Sequence, residues 1–306
     1  MTRRETLALS GKASLAVLFA SAKIFQRRAE AASDTDMRTP AYIRHFTANN
    51  PGYMTLKGTN QYVVGKDGGV IVIDVALSAE SNLDGIIEQV EAMGAKKIEK
   101  ILLTHIHSDH CGGALALRKR SGAKIGIHRS RAGYLGGEDF QYAEGDRIPF
   151  GAGELDVLHT PGHESGHCCF YESSDRVLFS GDHILGYGTS VIRPPDGDMT
   201  AYIQSLERLL QLSIGLILPG HGPLVGKPEA KIREYIDHRL MREQQVIDAL
   251  RKGRQTIGAI TEMIYVDVSG PLKNVAEFSV QAHLIKLMRE GKVKQEGSRY
   301  LLIQEL

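Results

Sequence analysis

The sequence predicts an α/β fold: a two-layer sheet core flanked by helices, with a smaller helical domain after it. Two observations carry this. Short apolar runs end, four times over, on residues of the kind that bind metals: 98–103 runs into Thr104-His105-Ile106-His107-Ser108-Asp109-His110, 154–159 into Thr160-Pro161-Gly162-His163, 176–179 into Ser180-Gly181-Asp182, and 214–218 into Pro219-Gly220-His221. Between them, apolar residues recur at helical spacing, and after Pro228 the helical pattern takes over. A chain of 306 residues, 42% hydrophobic and 24% charged, is long enough to bury one large core or two domains.

Residues 1–36 are set apart as a leader. Arg3-Arg4 opens a basic region, an apolar stretch runs from Leu7 to Phe25, and Ala29-Glu30-Ala31 offers a small-residue cleavage pattern. The segment resembles a bacterial twin-arginine export signal. It departs from that pattern at Thr6 and at Lys12 and Lys23, which also break any comfortable membrane span. Export to a periplasm and a cytoplasmic location both stay open, and no stable membrane insertion is expected.

The catalytic domain is expected over 37–228. Gln61-Tyr62-Val63-Val64 and Val70-Ile71-Val72-Ile73 read as strands joined by a glycine-bearing turn, the second ending at Asp74. Residues 80–93 place Leu83, Ile86, Ile87 and Val90 on one helical face, and Gly94 stops them. The strand at 98–103 delivers the histidine cluster; a helix opened by Gly112-Gly113 and ended by Gly122 follows, then a strand at 124–128. Residues 129–150 read as a loop-rich insertion. Strands at 154–159, 168–171, 176–179 and 214–218 and a helix at 200–212 complete the domain.

From 229 to 306 a small, winged-helix-like domain is expected: helices at 229–250, 256–265 and 277–289, then a hairpin from 291–293 and 300–303 around Glu296-Gly297. Ten basic against eight acidic side chains from 241 onward make it weakly suited to nucleic acid. A homodimer through the 229–250 helix is one arrangement; covering the sheet explains that helix equally well.

His105, His107, Asp109, His110, His163, Asp182 and His221 are seven candidate ligands, too many for one ion. Two sites account for them: His105, His107 and His163 in one, Asp109, His110 and His221 in the other, with Asp182 bridging. Such a pair, about 3.5–4 Å apart, supplies a metal-activated hydroxide and stabilises an oxyanion, and Asp109 would orient the attacking water. Two zinc ions suit the donors, and iron and manganese are also compatible. Asp74 is a candidate hydrogen-bond partner for a ligand histidine, His183 a substrate contact or outer partner of a ligand, and Tyr187 and Arg193 candidates for the substrate rim. His167 reads as a packing or hydrogen-bonding residue and Cys111 as a small buried thiol. Cys168-Cys169 should straddle a strand, one side in and one side out, and three cysteines give no disulfide framework.

Formal charge is +1, but residues 1–32 carry +4 and the remainder −3. The body therefore has no global positive field to steer a polyanion.

Thr104 to His110, Thr160-Pro161-Gly162-His163, Gly181-Asp182 and Pro219-Gly220-His221-Gly222 resemble the metallo-β-lactamase superfamily. The start Thr55 to Asn60, the Thr-Pro-Gly-His-x-x-x-His segment, Gly181 to Gly186 and the helical C-terminal domain resemble its β-lactamase-like protein 2 group, whose animal members are endoribonucleases acting on single-stranded RNA. This implies the four-layer αββα sandwich and the ligand sets above, usually with two zincs. The fold hosts many hydrolyses, so it leaves the bond open. Cys111, His183 and the loop from Gly188 to Met199 depart from the nuclease pattern. The leading reading is a binuclear zinc hydrolase of a small-molecule ester, thioester or lactone. The alternative is a single-stranded RNA endoribonuclease; β-lactam hydrolysis and an iron-dependent redox enzyme rank lower.

Overall fold

Two β-sheets face each other across one apolar layer. The computed structural model describes residues 39–303 apart from Asp67, Ala152 and Ser269. The expected leader lies outside the described residues.

The first sheet holds six strands side by side in chain order: β1 (Ile43–Thr47), β2 (Asn60–Lys66), β3 (Gly69–Ile73), β4 (Lys97–Leu102), β5 (Lys124–His128) and β6 (Phe140–Tyr142). Its β1–β2 and β2–β3 pairs are antiparallel, and the rest are parallel. The second holds five: β7 (Arg147–Phe150), β8 (Gly153–His159), β9 (Cys168–Glu172), β10 (Val177–Gly181) and β11 (Leu216–Pro219), with β10 and β11 parallel and the others antiparallel.

Side chains alternate across each strand, and here both faces are covered, so the strands read as unbroken apolar runs. Ile71 and Ile73 of β3 point between the sheets, where they join Tyr62, Leu102, Val157, Phe170 and Phe179. Val70 and Val72 point the other way, against Leu83, Ile86 and Val90 of α1 (Glu80–Ala92). A four-residue turn of helix, α2 (Ser108–Cys111), and then α3 (Ala114–Ser121) follow β4, with Cys111, Ala114 and Leu117 in that outer layer. On the far side, Leu178 and Ile217 pack under α4 (Met199–Leu209) and the first half of α5 (Pro228–Arg251), through Tyr202, Leu206, Ile232 and Tyr235. The layers are helix, sheet, sheet, helix.

The second half of α5 enters a separate core: Val246, Ile247 and Leu250 meet Ile260 of α6 (Ile257–Ile264), Val280, Leu284 and Leu287 of α7 (Pro271–Arg289), and Val293 and Tyr300 of the hairpin β12 (Val293–Glu296) and β13 (Arg299–Leu302). The C-terminal helices and hairpin form a winged-helix-associated domain. Among the described residues no helix is long and apolar enough to cross a membrane.

Several elements differ from expectation. β1 is an edge strand in which only Ile43 is fully buried, so it carries no apolar run. The insertion expected at 129–150 contains a 3-10 turn, Arg129–Arg131, and the short edge strands β6 and β7. Their period-two pattern spans too few residues to stand out. α7 begins at Pro271, where a proline fits the first helical turn, rather than at 277. Cys168 and Cys169 do face opposite ways, yet both are buried, one between the sheets and one beneath α4.

Phe179 of β10 is fully buried and meets Tyr62 edge-on across the sheets at 5.3 Å. Phe179→Ala should lower the unfolding free energy by about 3–5 kcal/mol, read as a shift in the urea midpoint at unchanged slope. A loss below about 1 kcal/mol would mean the two sheets do not depend on this contact.

Candidate metal centre

Five strands end on the same rim. β3 stops at Ile73 and turns into Asp74, whose backbone lies in the left-handed region at φ 61°. Such a backbone is uncommon for a residue with a side chain, though aspartate tolerates it better than most. β4 stops at Leu102, and the chain turns through Thr104 to His107 before α2 brings Asp109 and His110 back toward the sheet. β8, β10 and β11 run out to His163, Asp182 and His221. Gly220 lets the last turn close: a Cβ there would sit 2.7 Å from both Asp182 Oδ1 and His110 Cε1.

Three groups of potential ligands result, each with donor atoms within 4.8 Å of one another: His105, His107 and His163; His105, His110 and Asp182; Asp109, His110 and His221. All seven residues picked out in the sequence are in this constellation, with Asp182 between the outer two groups. Its Oδ1 is 3.2 Å from His110 Nε2 and 3.3 Å from His221 Nε2, while Oδ2 is 3.8 Å from His163 Nε2.

The hydrogen bonds decide which ring nitrogens are left over. His110 Nδ1 donates to Asp74 Oδ2 (2.7 Å). His105 Nδ1 donates to the Thr104 hydroxyl (3.0 Å), which donates onward to the same Asp74 oxygen (2.8 Å). His163 Nδ1 donates to the Val191 carbonyl (2.7 Å) beside the Ser190 hydroxyl (3.0 Å), and His221 Nδ1 donates to the Gly58 carbonyl (3.2 Å). In the neutral imidazole one nitrogen donates and the other accepts, so each of the four Nε2 atoms is the one left for a cation: a lone pair where the ring is neutral, a proton that a metal ion displaces where it is charged.

Those nitrogens point at one another. His105 Nε2 and His163 Nε2 lie 3.0 and 2.9 Å from His107 Nδ1, and His110 Nε2 lies 3.2 Å from His221 Nε2, with Asp109 Oδ2 3.2 Å from the latter. Asp182 Oδ1 is buried without a hydrogen-bond partner. Acceptors converging this closely need positive charge among them. Two ligands bound at about 2.0–2.1 Å in a tetrahedral site sit roughly 3.3–3.4 Å apart, close to these separations. The residues fit a pair of metal ions of a type that accepts nitrogen and oxygen donors; this is a binuclear metal-binding site of the kind used in metal-dependent hydrolysis.

The two halves compete differently with protons. Burial holds His105 well below its ordinary pKa, pulls His163 down, and brings His107 to about 4 with help from His163. Three neutral imidazoles are thus ready for a cation. In the other half burial is overcome by charge: Asp182 and Asp74 raise His110 well above its ordinary value, and Asp182 and Asp109 push His221 up to about 9. In return, against burial, His110 and His221 hold Asp182 well below the carboxylate range.

Other residues singled out in the sequence fall as follows. Asp74 sits on His110, as described. His183 is fully buried beneath the helix layer, against Tyr202 (ring centroids 4.6 Å apart). Its ring is 5.6 Å from that of His167, whose Nδ1 bonds the Thr160 hydroxyl. Tyr187 is exposed on the turn packed against Gly222, next to His221. Arg193 is exposed and lies over the Phe278 ring of α7, at 4.7 Å, rather than over the ligands. Cys111 is buried, donates to the Ile106 carbonyl, has its pKa pushed up to about 11 by burial, and belongs to none of the three ligand groups. Sequence reasoning missed Thr104, Ser190, and the Gly58 and Val191 carbonyls. Thr104 adjoins the cluster and was within reach; backbone carbonyls leave no trace in residue type.

Asp74→Ala removes the acceptor for His110 and for the Thr104 hydroxyl together. Its metal affinity should fall about 10–100-fold in a competition titration against a chromophoric chelator; an unchanged affinity would remove Asp74 from the positioning of the site. A pH dependence follows from the charged half. His110 and His221 with raised pKa values hold protons at neutral pH that an ion must displace. Affinity for the second ion should therefore rise from pH 7 toward 9 by about tenfold per pH unit for each proton displaced, about a hundredfold where both rings release one, while the first ion is nearly indifferent. Calorimetry in buffers of different ionisation enthalpy measures this, and equal proton release for both ions would contradict it.

Residues 54–221 match the metallo-beta-lactamase superfamily model, and residues 256–300 match the beta-lactamase associated winged helix domain. The chain is 33% identical to a beta-lactamase-like protein 2 homolog of Caenorhabditis elegans, over 82% of this chain and 86% of that one. It is 34% identical to an atrochrysone carboxyl ACP thioesterase of Aspergillus chevalieri, over 86% of each. Its fold matches the crystal structure of a beta-lactamase domain protein from Burkholderia ambifaria with a TM-score of 0.75 at 20% identity, over 89% of this chain and 94% of that one. Sequence, layer order and ligand constellation agree: the chain belongs to the metallo-β-lactamase superfamily and is homologous to its β-lactamase-like protein 2 group.

Proposed function

We propose that the chain is a binuclear zinc hydrolase of a small-molecule ester, thioester or lactone, with an acyl thioester first among these. The observation that carries the hydrolase reading is the convergence of five histidine nitrogens and two carboxylates on two adjacent positions. His105, His107 and His163 would hold one ion and Asp109, His110 and His221 the other, with Asp182 shared. When bound, such a pair supplies Lewis acidity and a water of lowered pKa.

Burial orients the site. His105, His110 and His221 are buried, whereas His107 is exposed and the Asp109 side chain keeps 26% of its exposure. Substrate would approach over His107 and Asp109. The Asp109 carboxyl is held down, against burial, by its hydrogen bond from His221, so it stays ionised and can accept a hydrogen bond from an attacking water. Two things favour an acyl thioester over RNA. The named thioesterase from Aspergillus chevalieri aligns over most of both chains, and the body carries a net −3 that does nothing to draw in a polyanion. Homology to the β-lactamase-like protein 2 group favours the second reading, cleavage of single-stranded RNA.

A panel of acyl thioester, lactone, β-lactam and single-stranded RNA separates these. The wild type should turn over the thioester, and His107→Ala should lose at least about 100-fold of that rate. RNA cleavage that depends on His107, with no thioester turnover, would replace the proposal by the nuclease reading. Metal analysis of protein purified without added metal should find zinc; stoichiometric redox-active iron would displace the zinc assignment.

A further inference from the structure

The segment between Leu185 and Asp198 joins the metal centre to the C-terminal helices, and one buried cation is at the middle of it. On the metal side, Gly186 N donates to the His221 carbonyl (2.9 Å), Asp198 N donates to the Gly162 carbonyl (2.8 Å), and Ser190 and Val191 receive His163 Nδ1. On the other side, Tyr235 and Arg239 of α5 and Phe278 and Arg289 of α7 hold the same segment. Tyr235 Oη accepts from Leu185 N (3.0 Å), Arg239 donates to the Ser190 carbonyl, Phe278 carries Arg193, and Arg289 pairs with Asp198.

Arg239 is the contact nearest a ligand. It is 2% exposed, its guanidinium lies 5.1 Å over the Tyr202 ring, and its Nε has no hydrogen-bond partner. Glu243, one turn on, gives its carboxylate to Lys286 (2.8 Å) and His283 (3.5 Å) instead. A buried guanidinium incompletely satisfied is a costly way to fill space, and an apolar residue of similar volume would pack there at least as well. What only a rigid, planar donor can do is fix the direction of the Ser190 carbonyl. That carbonyl belongs to the peptide linking Ser190 to Val191, and the two residues supply the hydroxyl and the carbonyl around His163 Nδ1.

We propose that Arg239 is a positioning residue of the metal centre: from the long C-terminal helix it sets the Ser190–Val191 peptide, and through it the ring of His163. The C-terminal domain then belongs to the site rather than merely covering the sheet. The effect is selective. It acts on the ion shared by His105, His107 and His163 and leaves the Asp109, His110 and His221 position alone, because Asp74 and Gly58 hold that one.

The inference rests on His163 being a ligand, so the test includes His163→Ala. Zinc affinities for both ions are measured by chelator competition, with the cobalt(II) absorption spectrum as a second readout, in wild type, Arg239→Met, Arg239→Lys, Glu243→Gln and His163→Ala. Arg239→Met should weaken one ion about 10–100-fold, the same ion that His163→Ala weakens, and perturb only its cobalt bands. Arg239→Lys should recover part of the loss. Glu243→Gln should lower thermal stability without changing either affinity. Wild-type affinities in Arg239→Met, equal loss of both ions, or the same selective loss in Glu243→Gln would each overturn the proposal. Should Arg239→Met fail to fold, the contrast between Arg239→Lys and Glu243→Gln decides by the same criterion. If His163→Ala leaves both ions untouched, the ligand assignment falls and the inference with it; if it removes an ion that Arg239→Met retains, only the inference falls.

Discussion

Four imidazoles of the site commit one ring nitrogen to the protein and aim the other at a shared small volume. That commitment is the constraint on which the rest depends. A histidine free to rotate or to exchange tautomers would relieve the crowding of lone pairs by itself, and no cation would be called for. Here the Thr104 hydroxyl, the Asp74 carboxylate, and the Val191 and Gly58 carbonyls leave no such freedom. Asp74 has the largest share, since its Oδ2 receives His110 directly and the Thr104 hydroxyl that receives His105, while Oδ1 accepts the Thr104 amide. One carboxylate thereby sets a histidine in each half of the centre.

The sandwich makes this arrangement stiff. Strands buried on both faces have little room to shift, and β3, β4, β8, β10 and β11 all release their chains at one rim. The ligands are a residue or a few beyond the last strand residue, which keeps them near rigid backbone and still open to one side. Asn60 ties the two sheets at this rim by donating to the Pro219 and Gly222 carbonyls on either side of His221. Burial and charge then separate the two halves: one is a set of neutral imidazoles, the other a set of charged pairs held together by Asp182 and Asp109.

The long helix α5 contributes to two cores at once, with Ile232 and Tyr235 under the second sheet's helices and Val246 to Leu250 in the winged-helix-associated domain. Arg239 lies between those stretches, so the point where the two cores meet is also the point nearest the Ser190–Val191 peptide. A helix that served only as a cover would have no reason to bury a guanidinium there.

Most of the fold was legible in residue order, because strands buried on both faces leave continuous apolar runs and because histidine and aspartate at their ends have no business in a core. Fold class, the seven-residue constellation and Asp74 could be read that way. The short edge strands β1, β6 and β7 could not, since an edge needs few apolar residues and alternation over three or four positions is too brief to register. The surroundings of His183 and Arg193 were not legible either, because ring contacts with Tyr202 of α4 and Phe278 of α7 come from elements distant in sequence. The sequence by itself determined which side chains were available to bind ions. Only the tertiary structure decided which nitrogen of each ring was free to do so, because that choice is made by the Val191 and Gly58 carbonyls and by the Asp74 carboxylate, which the fold brings to the rings from 28 to 163 positions away.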